Sequence, residues 1–125
     1  MNFKKTAGII IMILGALHLM AHALGPKSES DYVIIQKMQE HGINFLGEHT
    51  LWGFYTAFSL SMGILYMFAG SLIILSKDKF ALLSCLVFLS ILSLVAILYV
   101  HALAYGMLLI ALLFIVLSVI KKEYA

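Results

Sequence analysis

The stretch "FALLSCLVFLSILSLVAILYVHALAYGMLLIALLFIVLSVI", residues 80 to 120, is apolar throughout. As a single α-helix its some 40 residues would be about 60 Å long, twice the roughly 30 Å hydrocarbon core of a bilayer. The chain must therefore turn back inside it. The candidate for the turn is "YVHALAYG", residues 99 to 106, with Tyr99, His101, Tyr105 and Gly106.

Composition makes this pattern a class assignment. Of the 125 residues, 63% are hydrophobic and 11% charged, and the mean hydropathy is +1.07. A soluble domain carries about 25% charged residues, so this chain cannot cover a water-facing surface. The expected class is an integral membrane protein of one domain, residues 1–125. All eight basic residues are Lys. Without guanidinium forks or a basic tract, nucleic acid is excluded as a partner, and the bilayer itself is expected as one. Cys85 is the single cysteine, so no intrachain disulfide forms.

Four segments are long enough to cross: about 7–24, 51–75, 80–99 and 102–120, with a loop over 25–50 between the first two. The fold expected is an all-α four-helix transmembrane bundle. The first segment, with Lys4-Lys5 before it and "AHA" at 21–23, has the look of a secretion signal. Its apolar stretch is long for one, and it is read as a retained helix. Four crossings put both termini on one side, with Lys4, Lys5, Lys77, Lys79, Lys121 and Lys122; only Lys27 and Lys37 fall opposite. The positive-inside rule then places both termini in the cytoplasm.

This threading gathers the histidines. His18 and His22 fall in the outer half of the first span, His41 and His49 in the outer loop, and His101 at the outer turn. Residues three and four apart share a helix face, so Gly8, Ile11, Gly15, His18, His22 and Gly25 form one stripe. Small residues allow close helix approach in lipid, so that stripe faces the other helices. Gly53, Thr56, Gly63 and Gly70 make a comparable stripe on the second span, and Ser90 and Ser93 a polar patch on the third. In the loop, "SESDYVIIQKMQEHG" has helix start and stop signals and predicts a short extracytoplasmic helix of about three turns. "EHGINFLGEHTLW" repeats Glu-His at 40–41 and 48–49, with Phe45 and Leu46 between them to enter the bundle mouth.

Several chemistries fit this outward-facing His/Glu pocket. In the plainest reading, His18 and His22 are neutral imidazoles bonded to a neighbouring helix, a serine or water. H-x-x-x-H also presents two nitrogens on one face, as a metal ion such as zinc or iron requires, with His49, Glu48 or His101 as a third ligand. Haem b would sit between facing helices, with His18 or His22 opposite His101. A small lipophilic ligand is the third option. As an enzyme, the chain would use Glu48 and His49 as acid and base on a lipid-like substrate. As an accessory subunit, it would pack against a larger membrane complex, and its Gly stripes also suit a homo-oligomer. Trp52, Tyr55, Tyr99 and Tyr105 fit an interfacial belt, and the deeper Tyr66 needs a partner for its hydroxyl.

"LWGFYTAFSLSMGILYMFAG", residues 51 to 70, resembles a segment of a family of small, uncharacterised four-helix bacterial membrane proteins. The matching residues are Trp52, Phe58, Ser59 and Gly63, and the first helix with "GALHLMAHALG" extends the likeness over about the first 75 residues. The resemblance implies the fold and implies no reaction.

Overall fold

The computed structural model describes residues 2–44, 48–99 and 102–123. Five helices and one small hairpin account for nearly all of them: α1 (Phe3–Leu24), α2 (Glu29–Glu40), β1 (Gly42–Asn44), β2 (Glu48–Thr50), α3 (Leu51–Leu75), α4 (Lys79–Tyr99) and α5 (Ala102–Ile120). Three helices, α1, α3 and most of α4, are long and apolar enough to cross a membrane, and α5 is a shorter apolar helix. Within the long apolar stretch α4 ends at Tyr99 and α5 begins at Ala102, and the two helices pack on each other. His101 lies outside the described residues, as do Phe45 and Leu46, so their expected places are not part of this description.

Local chemistry sets the helix ends. The Asn2 side chain accepts the Lys5 amide, starting α1 at Phe3 rather than near residue 7. Gly25 stops it at φ +67, a left-handed conformation that glycine adopts without a Cβ clash. Ser28 and Asp31 form a capping box that starts α2. Thr50 caps α3 by accepting the Gly53 amide.

α1 packs most extensively on α3 and next on α5, and α4 rests on α5. The α1–α3 seam is built on paired glycines. A Cβ placed on Gly8 would stand 2.6 Å from the Gly70 carbonyl oxygen, and one on Gly70 2.6 Å from that of Gly8. Gly15 and Gly63 repeat the arrangement, with a Cβ on Gly15 2.7 Å from the Gly63 oxygen. The pairs are two turns apart on both helices and run in opposite senses, so the helices are antiparallel with backbones in near contact. The glycine stripe expected on α1 is thus buried through Gly15. On α3 the paired glycines are Gly63 and Gly70; Gly53 is exposed at the capped end, and the buried hydroxyl of Thr56 lacks a partner among the described residues.

The lysine-rich end is tied together. The Lys4 ammonium donates to the Ser76 carbonyl at 2.6 Å, and the Lys4 amide donates to Glu123 Oε2 at 2.9 Å. Phe3 stacks on Phe114 at 5.9 Å, and Lys121 Nζ sits 4.5 Å from the Phe3 ring centroid. Both ends of the chain and the α3–α4 turn therefore share one end of the molecule. Glu123 reaches Lys4 because α5 ends in a Schellman turn, with Glu123 N–H on Ser118 O, Lys122 N–H on Val119 O and Lys122 at φ 55.

Ile11, Ile73, Leu82, Leu89, Leu108 and Ile115 fill the interior, while large apolar side chains such as Ile13, Phe68, Leu94 and Leu113 are exposed. Of the two serines expected as a polar patch on α4, Ser93 is buried and Ser90 exposed. Each hydroxyl donates back to the carbonyl four residues earlier, Leu86 and Leu89 respectively, which satisfies it within its own helix.

Candidate functional site

α3 and α4 follow one another in the chain yet barely touch. Between them, floored by α1 and α5, lies a cavity of about 470 Å³. Met62 and Tyr66 of α3, Leu92 and Ala96 of α4, Leu14 of α1 and Ala104 of α5 form apolar walls. Phe58 and Val95, 64% and 45% exposed, stand at its rim, so the cavity opens onto the apolar flank of the molecule between α3 and α4.

Its polar groups are few. His18 Nε2 lies 3.1 Å from Ser59 Oγ. If the imidazole donates, the serine O–H is free to donate onward; if the serine donates, its oxygen is left as an acceptor. Tyr66 is 9% exposed and its hydroxyl has no hydrogen bond to another described residue. The His18–Ser59 pair matches the plainest reading of His18, and its partner helix is α3.

His22 is one turn further along α1 and belongs to a different space. Its ring stacks on Trp52 at 6.3 Å between centroids and tilts against Tyr55 at 6.4 Å; Trp52 and Tyr55 stack at 5.5 Å. These side chains line a second cavity, of about 450 Å³, roofed by Ile34, Ile35 and Met38 of α2. Asp31 stands on its wall. Its carboxylate accepts from the Ser28 and Lys27 amides through Oδ2, at 3.1 and 3.2 Å, and in return the Asp31 amide donates to Ser28 Oγ. The bond with the Ser28 side chain, followed by the Lys27 and Ser28 amides, holds this carboxyl below the usual Asp range. Tyr55 lines both cavities.

The remaining candidates fall elsewhere. Glu48 and His49 are exposed on β2, which pairs antiparallel with β1 in the register Ile43 with His49 and Asn44 with Glu48. They line a surface groove with Gly42, Asn44 and Thr50. His41 lies in another groove, beside Lys37 and Leu51. His18, His22 and the Glu48–His49 pair are thus not brought together. Among the described residues no three of His, Cys, Asp and Glu are grouped as a metal ion would need. The expected facing of His18 or His22 with His101 lies outside the described residues. Sequence reasoning missed the Tyr66 contribution as a cavity-lining hydroxyl, the place of Ser59 beside His18, and the hairpin. Tyr66 and Ser59 are two turns apart on α3, a signal that was available. No family model, curated protein or solved structure matches this chain.

Proposed function

We propose that this chain is a four-span bundle of a bacterial cytoplasmic membrane that binds a small lipophilic ligand in the cavity between α3 and α4. The single observation behind this is the meeting of His18, Ser59 and Tyr66 on a space otherwise walled by apolar side chains. Ligand sites are commonly apolar clefts of about 300–1,000 Å³ with a few well-placed polar groups. A ligand with one oxygen, a ketone or a phenol, would bond to Tyr66 or Ser59 and leave its hydrocarbon against Met62 and Leu92. The rim at Phe58 and Val95 gives entry sideways, from the bilayer. Of the ligands a histidine pocket could take, the lipophilic one needs no third metal donor. In this reading the lysine-rich end is cytoplasmic, α2 and the hairpin are exoplasmic, and the likeness of Trp52, Phe58, Ser59 and Gly63 to the small four-helix bacterial family reflects a shared bundle.

Benzophenone tests the site, because it is an apolar aryl ketone that photolabels methionine readily. In nanodiscs it is expected to label the peptide carrying Met62 saturably. Ser59→Ala and Tyr66→Phe are each expected to weaken that labelling about fivefold to tenfold, the worth of one hydrogen bond of about 1 kcal/mol. Labelling that rises linearly with dose and falls equally on the outward Leu94 and Leu113 would defeat the proposal.

A further inference from the structure

The second cavity, under α2, has a character opposite to the first. Among the described residues its titratable lining groups are His22, Asp31 and Tyr55 and no lysine lines it; two large aromatic rings, Trp52 and Tyr55, form one side. The Asp31 carboxylate is held in the α2 cap, where its Oδ2 accepts the Lys27 and Ser28 amides. A fixed carboxylate oxygen beside aromatic rings is complementary to an ammonium group: the oxygen supplies a charge-assisted hydrogen bond, and the rings supply cation–π attraction. A phosphate or carboxylate head would meet like charge there and no lysine. Tyr55 lines both this cavity and the apolar one.

We infer that the cavity beneath α2 is a head-group site for the ammonium end of a single-chain amphiphile, whose tail passes Tyr55 into the cavity between α3 and α4. The placement of the tail rests on the function proposed above; the head-group site does not. Such a ligand lies along the bundle, its charge at the α2 end and its chain among the helices, as an amphiphile lies in one leaflet of a bilayer.

Trp52 is the only tryptophan in the chain and stands in the head-group cavity, so its fluorescence reads that cavity alone. Dodecylamine and dodecanol, titrated into the protein in zwitterionic nanodiscs, compare a charged head with an uncharged one on the same chain. Dodecylamine is expected to change Trp52 emission saturably with at least about tenfold higher affinity than dodecanol, as one charge-assisted bond implies. Asp31→Asn is expected to erase the preference and Asp31→Glu to keep it, since glutamate at this position of the cap preserves both charge and capping. Glu29→Gln removes a neighbouring charge that does not line the cavity, and should leave the preference intact. Equal affinities for the two heads in the unaltered protein overturn the inference, as does a preference that survives Asp31→Asn or is lost equally in Glu29→Gln. Ala104→Phe fills the apolar cavity and is expected to weaken both compounds while keeping their ratio. An undiminished affinity in that variant removes the tail from the α3/α4 cavity and leaves the head-group site standing, which the dodecylamine preference and its loss in Asp31→Asn decide.

Discussion

At the scale of single residues, tolerance depends on what a side chain would meet. Gly15→Val puts branched carbons where the Gly63 carbonyl oxygen already stands, and the two backbones must separate. The expected result is a loss of about 1–3 kcal/mol or more in reversible unfolding from mixed micelles, typical of overpacking, whereas Gly42→Val, with open space around it, is expected to be silent. Lys122 gives the opposite case. It holds a left-handed conformation that costs a non-glycine residue about 1–2 kcal/mol, so Lys122→Gly should stabilise the C-terminal turn, by about 1 kcal/mol, in the same assay. The His18–His22 spacing shows what a motif conveys and what it leaves out. Four residues along a helix mean about 6 Å of rise. That keeps both imidazoles on one face, as expected, yet seats one against Ser59 and the other against Trp52, on either side of Tyr55.

At the scale of elements, the helices were readable because each satisfies its own backbone and its faces follow from a fixed period. α2 shows this well: serine, acids and a late glycine mark its limits, and Ser28 and Asp31 do form the cap. The cap has a pH dependence with a definite sign. The Asp31 carboxyl is depressed on folding, first by its bond with the Ser28 side chain, so its contribution is complete above the ordinary Asp range. It fades as the pH falls through that range and is lost below the lowered folded value. Relative to the intrinsic rate at each pH, amide exchange of α2 should therefore stay slow on acidification to the upper edge of the Asp range and quicken below it. In Ser28→Ala it should be faster at every pH, by about 1 kcal/mol of capping. The hairpin was not readable, because strands of three residues are too short to show an alternating pattern. The glycine seam was half readable: small residues mark a close approach, but which glycine meets which carbonyl depends on the register between two helices.

At the scale of the whole molecule, reversal inside the 80–120 stretch follows from length alone, whereas the closure of the lysine-rich end depends on partners far apart in sequence. Single cysteines introduced in a Cys85→Ala background test the proposed threading. Positions 5 and 77 are expected to react only when the cytoplasmic face is accessible, and position 30 with an impermeant reagent added outside; labelling of 5 and 30 from one side would refute four crossings. The bond from the Lys4 amide to Glu123 joins residues 119 positions apart. The α1–α3 seam has all its atoms once Leu75 has been synthesised, and Lys4 has its Ser76 partner one residue later, but the bond from the Lys4 amide has no acceptor until the ribosome reaches Glu123. The order of synthesis therefore allows α1 and α3 to zip together while that tie is still unmade, and allows the tie only after α4 and α5 have followed.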